Sequence, residues 1–272
     1  MEHYSIQNKF PGKPENSTEN ESKKGVVDFV FNQNPELAEI GTKEEYLHFL
    51  ETIFPDSLLQ NPVYHETRSD WFKTEKFSKE KIGQTDAGYY GKGFYFSTQP
   101  GISGGYGHNE FLSLLNVKNP KYHVDTYTVG KQILSGLTKQ ESKSIAVPWL
   151  EEQILHYEKE LVDLKNGFIR KHSDIPSGVD FETYWENKRI ETVKNVSNLV
   201  QEYQDQLKNI DAMIDEYYSH DGFLTSDNLA NYEEILIREE DQIHILGSKD
   251  DLKKFGEFVE NGKIESDPSA SK

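Results

Sequence analysis

Two stretches of helical periodicity between residues 148 and 218 constrain the fold more than any other feature of this chain. In the first stretch, apolar residues recur at alternating steps of four and three: Leu150, Ile154, Tyr157, Leu161, Leu164 and Phe168. In the second, the same spacing joins Val193, Val196, Val200, Tyr203, Leu207, Ile210, Ile214 and Tyr217. Such spacing puts the apolar side chains on one face of a helix. Because residues 173–178 between them contain Pro176 and are typical of a turn, the sequence predicts an antiparallel helical hairpin over residues 140–218.

The sequence on either side of the hairpin has the texture of β-strands. Short apolar or aromatic runs alternate there with polar or glycine-rich turns. The runs predicted as strands are 62–65, 93–96, 111–117, 221–225, 234–237 and 242–246. Thr42 and Glu45 have the spacing of a capping box, which predicts a helix over about residues 43–53, and a further helix is expected around 249–259. The sequence therefore predicts an α+β core that the hairpin interrupts.

The two ends of the chain are expected to contribute little to this core. Residues 1–24 are polar and carry two prolines, so they are predicted to form a disordered arm. The core is then expected to comprise residues 25–130 and 219–260, and residues 261–272 are expected to form a flexible tail.

Charge and composition exclude several classes of function. The formal net charge is -17, from 30 Lys+Arg against 47 Asp+Glu, so the overall field repels polyanions and disfavours generic nucleic-acid binding. The absence of cysteine excludes disulfides, thiolate catalysis and Cys-ligated metals, and no pair of histidines has the spacing of a catalytic zinc site. Neither a P-loop nor a dinucleotide-binding fingerprint is present. With no apolar run of membrane-spanning length and no signal-peptide pattern, the sequence predicts a soluble protein without metal or membrane partners. We expect it in the bacterial cytoplasm or delivered from there to a target cell.

One motif that carries chemistry is the Gly-Ile-Ser-Gly-Gly sequence at residues 101–105, which matches the nucleophile elbow of serine hydrolases at Ser103. An elbow requires a strand that turns directly into a helix within an alternating parallel βα sheet. Pro100 interrupts the end of the strand, and the surrounding sequence does not alternate in this way. A serine hydrolase is therefore retained only as a lesser alternative.

A stronger pattern combines His65 at the end of a strand, Tyr95 within a Gly-Lys-Gly-Phe-Tyr-Phe-Ser sequence, and Glu234 eight residues before Gln242. The segments that carry it are, in order, 63–67, 93–96, 115–120, 221–222 and 234–243. Together they resemble the ADP-ribosyltransferases of the histidine–tyrosine–glutamate type, which are related to diphtheria toxin and the poly(ADP-ribose) polymerases, and most of all their bacterial and phage-encoded branch. The resemblance covers about residues 45–125 and 219–255.

This resemblance implies a fold of two packed, mainly antiparallel sheets around a cleft for NAD, which is the donor substrate. Cleavage of the glycosyl bond of NAD passes through an oxocarbenium-like transition state, so the site needs a carboxylate near the ribose. The resemblance assigns that role to Glu234. It also implies that His65 binds the adenosine ribose and that Tyr95 stacks on the nicotinamide ring, since an aromatic face suits a flat heterocycle.

The resemblance implies further NAD-binding residues around these three. Ser103 and Tyr106 lie eight and eleven residues after Tyr95, the spacing at which the polymerase branch has a serine for the carboxamide and a second stacking tyrosine. Glu66 and Thr67 follow His65 and are expected to line the same site, although Glu66 stands where the family usually has glycine. Because strand alternation lets only one of two adjacent residues face the cleft, Glu233 competes with Glu234, and register favours Glu234.

The function expected from the resemblance is transfer of a single ADP-ribose unit from NAD to a macromolecule, by a bacterial toxin, effector or phage-defence protein. The acidity of the chain favours a protein acceptor over nucleic acid, and Tyr232 argues against arginine because arginine-modifying relatives have Glu or Gln two residues before the catalytic glutamate. The hairpin is expected to bind an antitoxin or another partner. The alternative from a different class is a catalytically weak NAD-binding module, which the presence of Glu66 favours.

Overall fold

A computed structural model describes residues 19–67, 76–83, 88, 90–101, 109–122, 128–166, 180–226 and 233–266. The chain divides into two compact units: Met1–Val124 with His220–Lys272, and Asp125–Ser219. Eight helices are seen in the described ranges: α1 (Glu19–Gln33), α2 (Leu37–Ile40), α3 (Lys43–Thr52), α4 (Val129–Leu134), α5 (Lys139–Lys165), α6 (Phe181–Lys208), α7 (Ile210–Ser219) and α8 (Lys249–Ser266).

The first unit is built on one mixed sheet of seven strands, counted over the same ranges. Its strands are β1 (Val63–Thr67), β2 (Phe94–Ser97), β3 (Asn109–Leu115), β4 (Pro120–Tyr122), β5 (Gly222–Ser226), β6 (Glu233–Ile237) and β7 (Ile243–Ile245). Their order is β4-β5-β6-β2-β1-β3-β7, and all neighbours are antiparallel except β4 and β5. The predicted α+β class is therefore confirmed, together with six predicted strand segments.

The resemblance implied two packed sheets, but the described strands form one sheet. Strand β1 joins β3 and β7 on one side to β2, β6, β5 and β4 on the other. On one side β1 pairs with β3 through five residues, whereas on the other it pairs with β2 through Tyr64 and Ser97 alone. The sheet thus has a narrow junction in its middle. Local periodicity identifies strands but does not show which strands pair with each other, so the sequence pattern could not predict this connection.

The main apolar core is formed by helices α1, α2, α3 and α8 with Leu112 and Leu114 of β3 and with Leu246, which follows β7. The capping box of α3 is present as predicted, since Thr42 Oγ1 accepts the amide of Glu45 and the Glu45 carboxylate accepts the amide of Thr42. Helix α1 starts at Glu19, inside the segment predicted as an arm, and α8 continues to Ser266, inside the segment predicted as a tail. The rest of both segments lies outside the described residues.

A buried polar network fixes α8 to this core. The Asp251 carboxylate is fully buried and accepts hydrogen bonds from the Tyr46 hydroxyl at 2.5 Å, His244 Nε2 at 2.7 Å and the Gly247 amide at 2.7 Å. Because a buried carboxylate is costly unless it is paired and hydrogen-bonded, the three donors are what make this position tolerable.

The second unit contains the predicted helical hairpin, formed by α5 with α6 and α7. Three contacts show the direction of the helices: Lys139 with Asp215, Lys143 with Asp211, and Tyr157 with Tyr203. The residue numbers rise along α5 while those of the partners in α7 and α6 fall. The helices are therefore antiparallel. Leu150, Val196 and Val200 are buried in the seam, as their spacing predicted. The predicted turn at 173–178 lies outside the described residues.

Candidate functional site

Glu234 lies on the same face of the sheet as Tyr95. In β6 it is directly opposite Ser97 of β2, and Ser97 is in turn opposite Tyr64 of β1. Residues directly opposite each other in a sheet, and residues two apart in one strand, project from the same face. Glu234, Ser97 and Tyr95 therefore share one face, and with strands about 4.8 Å apart the Glu234 backbone lies roughly 10 Å from β1.

His65 projects from the other face but is bonded directly to Tyr95. Its Nδ1 lies 2.7 Å from the backbone carbonyl oxygen of Tyr95, across the narrow junction between β1 and β2. A carbonyl oxygen can only accept a hydrogen bond, so Nδ1 carries the proton. In the neutral ring Nε2 is then an acceptor, and it has no hydrogen-bond partner among the described residues. An acceptor of this kind fits a hydroxyl donor such as that of a ribose.

Three phenylalanine rings surround the His65 imidazole. The ring centroids of Phe77, Phe96 and Phe111 lie 5.0, 5.4 and 5.0 Å from it. This apolar environment disfavours the imidazolium and lowers the pKa of His65 to about 4, although the bond to the Tyr95 carbonyl opposes the shift. His65 is therefore neutral at physiological pH.

The side chain of Tyr95 forms hydrogen bonds with the backbone just before strand β2. Its hydroxyl donates to the carbonyl oxygen of Gly91 at 2.6 Å and accepts the amide of Tyr90 at 2.9 Å. Gly88 packs so closely on Tyr95 that an added Cβ would overlap the hydroxyl and the Gly91 carbonyl. The aromatic role predicted for Tyr95 is thus accompanied by a structural role that the sequence pattern did not indicate.

Glu66 lies opposite Glu110 of β3, which places a second and third carboxylate on the face of Glu234. Burial raises the pKa of Glu110, the Gly101 amide that it accepts at 2.9 Å lowers it, and the charge of Glu66 raises it. Sequence reasoning missed Glu110, although the alternation of β3 could have placed it on this face. Thr67 is the last residue of β1, opposite Asn109.

Several predicted site residues cannot be placed. Ser103 and Tyr106 lie outside the described residues, as does Tyr232. Glu233 is opposite Ser226 of β5 and Glu234 is opposite Ser97 of β2, and the preference for Glu234 stays a prediction. After the Ser103 segment, the next described residues form strand β3 from Asn109.

Some of the residues that carried the resemblance have scaffold roles. The Gln242 side-chain amide donates to the carbonyl oxygens of Asn116 and Asp221 at 2.7 and 2.8 Å. The Asp221 carboxylate accepts the amides of Lys118 and Asn119 at 2.7 and 2.8 Å. These bonds join the start of β7 to the chain around β4 and β5, so the motif residues here support the sheet that positions Glu234.

A cavity of about 600 Å³ adjoins the phenylalanine cluster. Phe77 lines it, as do four lysines: Lys76, Lys249, Lys253 and Lys254. Its volume is in the range typical of small-molecule sites. Asp250, Glu240 and Asp241 also line it, and Asp250 pairs with Lys76 and Lys254. The cavity is therefore charged but nearly balanced.

Within the described ranges, no cluster of three His, Asp or Glu side chains has an arrangement that could hold a metal ion. No helix in that part of the chain is both long and apolar enough to cross a bilayer. In comparisons with known proteins, no family model, curated protein or solved structure matches this chain.

Proposed function

We propose that this protein is a mono-ADP-ribosyltransferase that cleaves NAD and transfers ADP-ribose to a macromolecule, with Glu234 as the catalytic carboxylate. The observation that carries the proposal is the arrangement of Glu234, Tyr95 and His65 on adjacent strands. Glu234 and Tyr95 share a face, and His65 is bonded to the Tyr95 backbone. The motif order of the sequence and this arrangement both support the assignment.

The chemistry follows from these positions. As the glycosyl bond of NAD breaks, positive charge develops on the ribose and nicotinamide leaves with the bonding electrons. The Glu234 carboxylate would stabilise that charge and thereby lower the barrier. A nucleophilic atom of the acceptor then bonds to the anomeric carbon of the ribose and gives up its proton to solvent. The neutral His65 offers an acceptor for a ribose hydroxyl.

Release of nicotinamide from NAD tests the proposal. Glu234→Gln keeps the shape of the side chain and removes its charge, and loss of one electrostatic contact to a transition state costs on the order of 100- to 1,000-fold in rate. Glu36→Gln is the matched control, because Glu36 is exposed and lies at the start of α2. Equal, background-level release of nicotinamide by wild type and Glu234→Gln contradicts the proposed transferase activity.

The acceptor is identified by incubating labelled NAD with a bacterial lysate. Label that protease removes supports a protein acceptor, and label that nuclease removes supports a nucleic-acid acceptor.

A second candidate, a weak NAD-binding module, is favoured by the pair of Glu66 and Glu110. Two carboxylates on the face of Glu234 repel the phosphates of NAD, and the Glu66 side chain occupies space that glycine leaves open. Glu66→Gly distinguishes the two candidates. A rise in nicotinamide release to enzymatic rates in this variant alone supports the module, whereas substantial release by wild type supports the transferase.

A further inference from the structure

Tyr95 contacts two parts of the candidate site through different groups. Its backbone carbonyl accepts the Nδ1 proton of His65 at 2.7 Å. Its hydroxyl donates to Gly91 and accepts from Tyr90, at 2.6 and 2.9 Å. The first contact is made by the backbone and the second by the side chain, so a mutation can remove the second and keep the first.

The backbone that Tyr95 holds has a conformation that needs support. Gly88 and Gly91 have φ values of 74° and 130°, a region that residues with a side chain rarely adopt. Glycine loses more conformational freedom on folding than other residues do, so this backbone is costly to order. The Tyr95 hydroxyl satisfies one donor and one acceptor there, and the contact with Gly88 leaves no room for a Cβ.

We infer that Tyr95 is a positioning residue for NAD, whose hydroxyl fixes the backbone at Gly88, Tyr90 and Gly91 over the face that carries Glu234. This rests on the proposed function. The stacking role implied for the ring is separate, because phenylalanine keeps the ring and loses only the hydroxyl. The protonation of His65 is separate too, because the carbonyl remains in any substitution.

The inference predicts a particular kinetic signature for Tyr95→Phe. If the held backbone is the form that binds NAD, losing two ordinary hydrogen bonds lowers the ratio of the held form to the released form by about five- to thirty-fold. The apparent dissociation constant rises as the held fraction falls, by at most the same factor. Saturating NAD restores the competent form, so KM rises by up to about thirty-fold while kcat changes by less than about two-fold. A general loss of stability does not produce this split.

Gly88→Ala disturbs the same backbone without altering Tyr95, both through the overlap of its Cβ and through the positive φ. It is expected to raise KM in the same way. Tyr46→Phe is the matched control, because it also removes a tyrosine hydroxyl that donates a short bond, to Asp251 in the core. It is expected to lower the melting temperature and leave KM unchanged.

The experiment measures two quantities for wild type and the three variants: KM and kcat for NAD, and hydrogen exchange of the Tyr90 amide. Support requires faster Tyr90 exchange and a raised KM in Tyr95→Phe and Gly88→Ala, with neither change in Tyr46→Phe. Unchanged Tyr90 exchange in Tyr95→Phe overturns the inference, and so does faster exchange with an unchanged KM. If wild type releases no nicotinamide, the proposed function fails, and the dissociation constant of NAD, measured by calorimetry, replaces KM in the same comparison. Absence of NAD binding then overturns the inference as well.

Discussion

The pKa of His65 links the stability of the protein to pH in a way that can be calculated. The folded pKa is about 4 and the ordinary value is 6.5. Well above pH 6.5 the ring is neutral in the folded and the unfolded state, so its burial does not change the free energy of unfolding with pH. As the pH falls from 6.5 to 4, the unfolded chain binds a proton that the folded protein resists, so stability is lost through this window. At about 1.4 kcal/mol for each pKa unit, the loss is roughly 2 kcal/mol at pH 5 and 3 kcal/mol at pH 4.

Urea unfolding between pH 8 and pH 4 tests this prediction against His65→Asn. The side-chain amide of asparagine can donate to the Tyr95 carbonyl from nearly the position of Nδ1, but it does not titrate. Wild type should therefore lose about 3 kcal/mol of unfolding free energy relative to His65→Asn as the pH falls from about 8 to 4. The titration of other groups is common to both proteins and cancels in this difference. Parallel pH profiles refute the reasoning, and so does an NMR titration of His65 with a midpoint near 6.5.

Three further substitutions are expected to lower stability by different amounts, measured by chemical denaturation at pH 7. Asp251→Asn breaks the buried network and should cost about 3 kcal/mol, whereas Asp250→Asn at the surface should cost less than about 1 kcal/mol. Gln242→Glu replaces a donor to two carbonyls with an acceptor and should cost about 2 kcal/mol; a loss below about 0.5 kcal/mol contradicts the bonds described. Thr42→Ala removes one half of the capping box and should cost about 1 kcal/mol. Glu44→Ala, at an exposed position of the same helix, is the comparison and should cost less than about 0.5 kcal/mol.

Local signals in the sequence predicted most of the helices and strands. Thr42 and Glu45 form the capping box that their spacing indicated, α3 ends at Thr52 before Pro55, and α8 begins at Lys249 as expected. These signals succeed because capping and side-chain periodicity depend on residues within a few positions of each other.

Features that depend on distant residues were not predictable in the same way. The β1–β2 junction at Tyr64 and Ser97 is set by tertiary packing, and the bond between the Tyr95 hydroxyl and Gly91 depends on the path of the chain. The position of Glu66 opposite Glu110 could be predicted only by knowing the register of β3 against β1. The motif therefore indicated which residues to examine, whereas their hydrogen bonds and protonation required the fold.

The parallel pairing of β4 with β5 explains how a long helical unit can interrupt the sheet without disturbing it. Parallel neighbours cannot be joined by a tight turn and need a crossover connection, and here residues 123–221 supply it. Asp221 binds the amides of Lys118 and Asn119, so the exit and re-entry of the chain are fastened to each other. Lengthening such a connection adds little entropic cost. The two ends of the helical unit are therefore held by bonds around the sheet, and a change in the length of that unit leaves these bonds in place.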